Sequence, residues 1–255
     1  MYFQRESIQS ASSIRKSILK VRSMNKGKSG EDLILDALKD KSIFKQNLYQ
    51  KNLDVFIKFK SSLKKLINKL NDSLGKKHET IDISFKDKGS FECEVIFGGD
   101  ILIFSIHTNI FNFDDNHFIH KTDYVKEDPN RGYCGMIQVY NFLKDSIKYK
   151  RMNDVGYLIA RVFINDENHF FVEGKRQLGF LYNDFDHLIL TDKYVKAIIE
   201  SAILYTIDFD LLVPPYQSVK QITVIEKLQE EGMTALKTGK RLGFKFQADS
   251  DLLQG

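Results

Sequence analysis

The stretch from Phe91 to Ile106 reads FECEVIFGGDILIFSI and decides the fold. Every second residue in its first half is apolar, which predicts a strand with one buried face: Phe91, Cys93, Val95 and Phe97. Gly98-Gly99-Asp100 then predicts a turn, and the apolar run from Ile101 to Phe113 predicts a strand covered on both faces. Upstream, Ile81, Ile83 and Phe85 alternate with polar residues. The sequence therefore predicts a three-stranded antiparallel meander.

A second β-rich region lies further along the chain. Residues 156–165 and 169–177 predict a hairpin around the turn Asp166-Glu167-Asn168. The apolar runs at 178–182 and 187–190 predict two more strands. Between the meander and the hairpin, the spacing of Met136, Tyr140, Leu143 and Ile147 suggests a helix, although residues 134–139 could equally form a strand.

Helical patterns occupy both ends of the chain. Apolar residues at spacings of three and four predict a helix over residues 8–21, and Ser29 with Asp32 is a capping pattern for a short helix ending near Leu38. An amphipathic helix is predicted over residues 47–74, and two more over residues 193–209 and 219–236. We therefore expect an α+β fold with N-terminal helices, a mainly antiparallel sheet and two C-terminal helices.

Charge is distributed unevenly along the 255 residues. Residues 1–80 hold 18 Lys and Arg against 8 Asp and Glu, whereas the remainder holds 20 against 26, so that a basic region precedes an acidic one. We expect a basic helical region at 1–76 and a β-rich body at 77–255, although both could form one continuous domain. The basic region could bind a polyanion or pack against the acidic body of its own chain.

Composition narrows the class of protein. The chain is 42% hydrophobic and 28% charged, which is typical of a globular protein. Two cysteines, Cys93 and Cys134, predict reduced thiols rather than a disulfide framework. Neither a secretory leader nor a membrane span is predicted, and we expect a cytoplasmic protein without a membrane partner. The sequence lacks a glycine-rich phosphate loop, which argues against an NTPase.

Residues 154–177 read DVGYLIARVFINDENHFFVEGKRQ and combine Asp154 with a Glu173-x-Lys175 pattern on the predicted hairpin. This arrangement resembles the PD-(D/E)xK nuclease superfamily, over about 24 of the 255 residues. The resemblance implies that Asp154 and Glu173 hold Mg²⁺ and that Lys175 neutralises the scissile phosphate or positions the nucleophile. Gln177 is a further candidate catalytic residue because of its position on the same strand. On an extended strand Glu173, Lys175 and Gln177 share one face.

A simpler interpretation is an ordinary half-buried hairpin, because Glu, Lys and Gln alternating with apolar residues also describes such a strand. A second candidate metal site is the group of His107, Asp114, Asp115, His117 and His120, which a polar surface loop also explains. Four lysines of the predicted helix 47–74 could follow nucleic-acid phosphates without sequence preference, or could simply face solvent: Lys51, Lys58, Lys65 and Lys69.

Two functions are therefore predicted from the sequence. The first is a Mg²⁺-dependent nuclease whose lysine-rich helices hold nucleic acid. The second is a non-catalytic subunit that binds a protein partner, a small ligand or a second copy of itself, with a basic helical arm.

Overall fold

The computed structural model describes residues 28–74, 81–152, 154–209 and 215–225. The predicted helix at residues 8–21 lies outside the described residues, as does most of the one at 219–236. The chain divides into two compact units, Met1–Asn47 and Leu48–Gly255. The sequence-based boundary at 76–77 differs from this division, because the long helix contributes core residues from Leu48 onward.

The described part of the first unit is helical. Helix α1 (Gly30–Ala37) begins after Ser29, whose side chain accepts from the Asp32 N–H while the Asp32 carboxylate accepts from the Ser29 N–H. This reciprocal capping box confirms the predicted helix start. A π-helical segment (Leu38–Ser42) follows and leads into α2 (Ile43–Leu74), which crosses into the second unit.

The second unit is built on one antiparallel sheet of six strands in the order β1-β2-β3-β4-β5-β6. The strands are β1 (Ile83–Asp87), β2 (Glu92–Phe97), β3 (Asp100–Ile106), β4 (Gly135–Leu143), β5 (Tyr157–Ile164) and β6 (Phe170–Gly174). Each strand pairs with the next one along the chain, and a bulge interrupts the β4–β5 register between Val139 and Tyr140. The predicted meander and the predicted hairpin are both present.

Two short helices lie between strands, and two short helices and one longer one follow the last strand. They are α3 (Asp123–Glu127), α4 (Lys144–Lys148), α5 (Gln177–Phe180), α6 (Asp192–Ile207) and α7 (Tyr216–Val219), with 3₁₀ turns at Phe118–Lys121 and Pro129–Gly132. Helix α6 matches the prediction over residues 193–209. The α+β fold class is therefore confirmed.

The two faces of the sheet are covered differently. On the helical face, α2 and α6 pack on alternate strand residues in one continuous core that includes Phe56, Phe59, Val95, Val172 and Ile199. On the other face, which we call the loop face, the segment 107–133 covers the β4–β6 end. The apolar contacts there form a second core: Ile119, Val125, Cys134, Met136, Phe163, Phe171 and Phe185.

Of the two alternatives for the region between the meander and the hairpin, the strand at 134–139 is correct: β4 occupies Gly135–Leu143, and the short helix α4 follows it. Two other predicted elements are wrong. The third strand ends at Ile106 rather than Phe113, and only an isolated bridge pairs Phe111 with Cys134. Residues 178–182 form a helical turn instead of a strand: Leu178 and Tyr182 are buried while Phe180 is 66% exposed, although all three would share one face of a strand.

The predicted strand at 187–190 is reduced to a single bridge between His169 and Ile189. Both cysteines are buried and free. Burial raises the pKa of Cys93 to about 12 and also raises the pKa of Cys134, so that neither thiol has the low pKa of a reactive cysteine.

Candidate functional site

Glu173 lies on the loop face of β6. It follows the buried residues Phe171 and Val172 and precedes Gly174, where the strand ends. It is directly opposite Arg161 of β5, and the two side chains form an ion pair between Arg161 Nη2 and Glu173 Oε2. Both side chains are partly exposed, at 42% for Arg161 and 36% for Glu173. The carboxylate predicted to bind a metal is therefore engaged by a guanidinium.

His117 approaches the same carboxylate from the segment 107–133. Its Nε2 lies 4.0 Å from Glu173 Oε1, and its ring stacks on Phe113 with a centroid distance of 4.4 Å. Burial lowers the pKa of His117, an effect that exceeds the opposing influence of Glu173. Its Nδ1 is buried and has no hydrogen-bond partner among the described residues. The imidazole therefore favours its neutral form.

Asp154 belongs to a different part of the molecule's second unit. Its Oδ2 accepts a hydrogen bond of 2.5 Å from Ser146 Oγ and lies 4.0 Å from Arg151 Nη1. Asp154 precedes β5, whose first residue Tyr157 pairs with Asn141, whereas Glu173 pairs with Arg161 four positions further along the strand. Four strand residues span about 13 Å. The structure therefore does not bring Asp154 and Glu173 together.

Lys175 and Gln177 lie beyond the end of β6. The Lys175 N–H still donates to Ile159 O, but Arg176 then adopts a left-handed conformation with φ 47°, and Gln177 is the first residue of α5. The expected extended strand carrying Glu173, Lys175 and Gln177 on one face is thus interrupted after Gly174.

These residues do not fit a metal ion in the arrangement that the structure shows. Within the described ranges, no group of three or more His, Cys, Asp or Glu side chains could hold one. The histidines expected as an alternative site also have separate partners. His107 Nδ1 accepts from the Asn109 N–H, and His120 Nε2 bonds to Phe113 O, whereas His117 faces Glu173.

The four predicted lysines of α2 divide into one paired and three unpaired residues. Lys51 forms a 2.6 Å ion pair with Asp166 in the β5–β6 turn. Lys58, Lys65 and Lys69 are exposed, and in the part of the chain that the structure describes they have no ion-pair partner. At about 100° per residue these three lie within an arc of about 40° and extend over about 16 Å. We call them the lysine row.

The lysine row and Glu173 lie on opposite faces of the sheet. Helix α2 packs on the helical face, in the core that contains Val172. Glu173 follows Val172 on the strand and therefore points to the loop face. The residues predicted to hold nucleic acid and the residues predicted to cleave it are separated by the sheet.

Sequence reasoning did not find the partners of Glu173. The signal for Arg161 was present, because a hairpin centred on the turn at 166–168 pairs residues whose numbers are symmetric about Glu167. His117 gave no such signal, since it reaches Glu173 only through the folding of a long connection.

No family model, no curated protein and no solved structure matches this chain. None of the described helices has the length and apolar character that crossing a bilayer requires.

Proposed function

We propose that the protein binds the phosphate backbone of nucleic acid through the lysine row of α2. The observation that supports this proposal is that Lys58, Lys65 and Lys69 are aligned, exposed and without anionic partners among the described residues. An ammonium group binds phosphate as a point charge, and the arginines that recognise bases or grip phosphates bidentately are missing from α2. The expected binding is therefore independent of sequence.

Salt dependence tests this proposal. Three phosphate contacts give a slope of about −2.7 for log K against log salt concentration, which is about a 40-fold loss of affinity between 50 and 200 mM. We expect the triple variant K58Q/K65Q/K69Q to reduce the magnitude of the slope by about 2.7. Fluorescence anisotropy with a labelled oligonucleotide measures the affinity at each salt concentration and therefore the slope.

A matched control removes the same number of positive charges from surface segments outside α2. Lys121, Lys150 and Lys193 are exposed residues of three separate surface segments. The triple variant K121Q/K150Q/K193Q is expected to keep most of the parent slope. If both triple variants lose affinity equally, net charge rather than the lysine row governs binding, and the proposal is wrong.

Mg²⁺-dependent hydrolysis at Asp154, Glu173, Lys175 and Gln177 stays a prediction of the resemblance. The formation of the hairpin and the partial exposure of Glu173 support it. The ion pair with Arg161, the separation of Asp154 from Glu173 and the interruption of the strand before Gln177 oppose it. Cleavage of labelled DNA and RNA with Mg²⁺ or Mn²⁺ is the direct test. Activity that is lost in Glu173→Gln supports the prediction, and intact substrates rule it out.

A non-catalytic role in partner binding is the alternative proposal. Helix α1 has no buried residue, and three apolar side chains at its end are about half exposed or more: Ile34, Leu35 and Leu38. Light scattering after size exclusion tests self-association through this surface. A dimer that Leu35→Glu dissociates supports the proposal, and a parent monomer at high concentration excludes a second copy as the partner.

A further inference from the structure

We infer that the lysine row selects duplex nucleic acid over single strands. The inference rests on the proposed function and specifies the class of ligand. It follows from three properties of α2: the residue types along its exposed side, the rigidity of the helix, and the charges at the two ends of the lysine row.

The part of α2 that carries the lysine row, residues 51–74, offers no aromatic side chain for base stacking. Between Lys51 and Leu74 the only aromatic residues are Phe56 and Phe59, and both are fully buried in the core of the helical face. Proteins that bind single strands gain much of their affinity from bases stacked on aromatic side chains. A single strand bound here would make backbone contacts alone.

The backbone positions of the lysine row are fixed, because regularly spaced residues of α2 are anchored in the core. Leu63 and Ile67, which are interleaved with the row, are 0% and 2% exposed. The lysine stems are flexible, but they start from fixed points on one helix, and such a row gains most from a ligand whose phosphates are already ordered, because a flexible strand loses conformational freedom on binding. Duplex DNA also presents one charge per about 1.7 Å of axis, twice the density of one strand.

Acidic residues mark the two ends of the row. Asp54 and Asp72 are exposed and, from their spacing, lie on the same side of the helix as Lys58 and Lys69. Phosphates that pass beyond the row along the helix axis are repelled. We therefore expect the duplex to cross α2 and to contact the row locally, with serine and asparagine side chains beside the lysines as further donors: Ser61 and Asn68.

The experiment compares labelled 20-mers of one sequence as duplex DNA, duplex RNA and single-stranded DNA, by anisotropy at 50–200 mM salt without divalent ions. We expect at least one of the two duplexes to bind about tenfold more tightly than the single strand at 50 mM salt. K58Q/K65Q/K69Q is expected to abolish this preference, whereas K121Q/K150Q/K193Q is expected to preserve it.

The outcomes separate the inference from the proposed function. Equal or tighter binding of the single strand overturns the inference but leaves backbone binding by the lysine row in place. A duplex preference that survives in K58Q/K65Q/K69Q also overturns the inference, because other residues then select the ligand. If the parent protein binds none of the three nucleic acids at 50 mM salt, the proposed function fails as well.

Discussion

At the scale of single residues, Gly135 marks a very close approach of α2 to the sheet. A β-carbon built on Gly135 would lie 2.3 Å from Asn52 Cγ. The Asn52 side chain is buried, and its Nδ2 donates to Leu48 O at 2.9 Å and to Ile164 O at 3.4 Å. It is therefore held in place and has little freedom to move away from an added methyl group.

We predict that Gly135→Ala lowers the free energy of unfolding by about 1–3 kcal/mol, the usual cost of overpacking a core. Gly99→Ala is the matched control, because nothing lies within 4 Å of its β-carbon position. Urea denaturation measures both. If the Gly135 variant is as stable as the Gly99 variant, the close approach of Asn52 to β4 is incorrect.

His117 is a second residue whose surroundings give a testable consequence. Burial holds its pKa below the ordinary value of 6.5, while Glu173 and Asp114 raise it and His120 lowers it. The unfolded chain therefore binds more protons than the folded one as the pH falls below about 6.5, so that folding stability rises with pH in this window.

We predict that His117→Gln flattens the rise in the urea midpoint between pH 5.5 and 7.5. His187 serves as the control, because its bond to Asp184 raises its pKa and its contribution has the opposite sign. That side chain is 80% exposed, so solvent screens the interaction and His187→Gln is expected to change the profile little. An unchanged pH profile in His117→Gln would contradict the burial of its imidazole.

At the scale of elements, a polar network fastens the segment 107–133 to the β5–β6 turn. Tyr124 OH donates to Glu167 Oε2 at 2.9 Å and accepts from Asn165 Nδ2 at 2.8 Å. Arg131 Nε donates to Glu167 Oε1 at 3.0 Å, and its guanidinium lies over the Tyr124 ring. Burial alone would raise the pKa of Glu167, but the bonds from Arg131 and Tyr124 lower it overall.

We predict that Tyr124→Phe costs about 1–2 kcal/mol of unfolding free energy, because it removes one hydrogen bond to a carboxylate and leaves a buried amide with fewer partners. Tyr216→Phe removes a hydroxyl from a residue that is 75% exposed and is expected to be neutral. Chemical denaturation distinguishes them. Equal stability of the two variants would show that the network does not hold the segment.

Sequence patterns predicted some of these elements and not others. Alternation predicted β1 and β2 correctly, and two apolar runs on either side of a polar turn predicted the β5–β6 hairpin. The burial of both faces over most of β2, β5 and β6 was not predicted by the pattern, since it depends on the helices and the loop segment that cover the sheet. The same reasoning failed at α5. A short apolar run has no distinct period, so helix and strand cannot be distinguished from it. The strand ends at Gly174, shortly before Arg176, whose φ is positive, and arginine is not a residue type that predicts such a conformation.

At the scale of the whole second unit, the sheet separates two charged surfaces. The lysine row of α2 is on the helical face and the Arg161–Glu173 pair is on the loop face. Mutations at distant sites without shared partners usually have additive effects. Changes at Glu173 should therefore leave binding by the lysine row unaffected.

We predict that Glu173→Gln changes the affinity for duplex DNA by no more than about twofold, equivalent to about 0.4 kcal/mol. Asp166→Asn is the contrasting variant, because it releases Lys51 from its 2.6 Å ion pair on the α2 side. It is expected to strengthen binding and to steepen the salt slope by less than about 0.9, because Asp54 lies between Lys51 and the lysine row. Anisotropy titrations would contradict the separation if Glu173→Gln had the larger effect.

The sequence by itself determined the α+β class, the meander, the hairpin and the amphipathic character of α2, because these depend on local periodicity and on the exclusion of apolar side chains from water. Only the tertiary structure decided which charges remain available. Lys51 is bound by Asp166, Glu173 is bound by Arg161 and approached by His117, and Asp154 is held by Ser146. The Arg161–Glu173 pair follows from the symmetry of the hairpin, but Lys51–Asp166 and His117–Glu173 join residues far apart in the chain. No local pattern encodes the distance between residues that only the folding of the whole unit brings together.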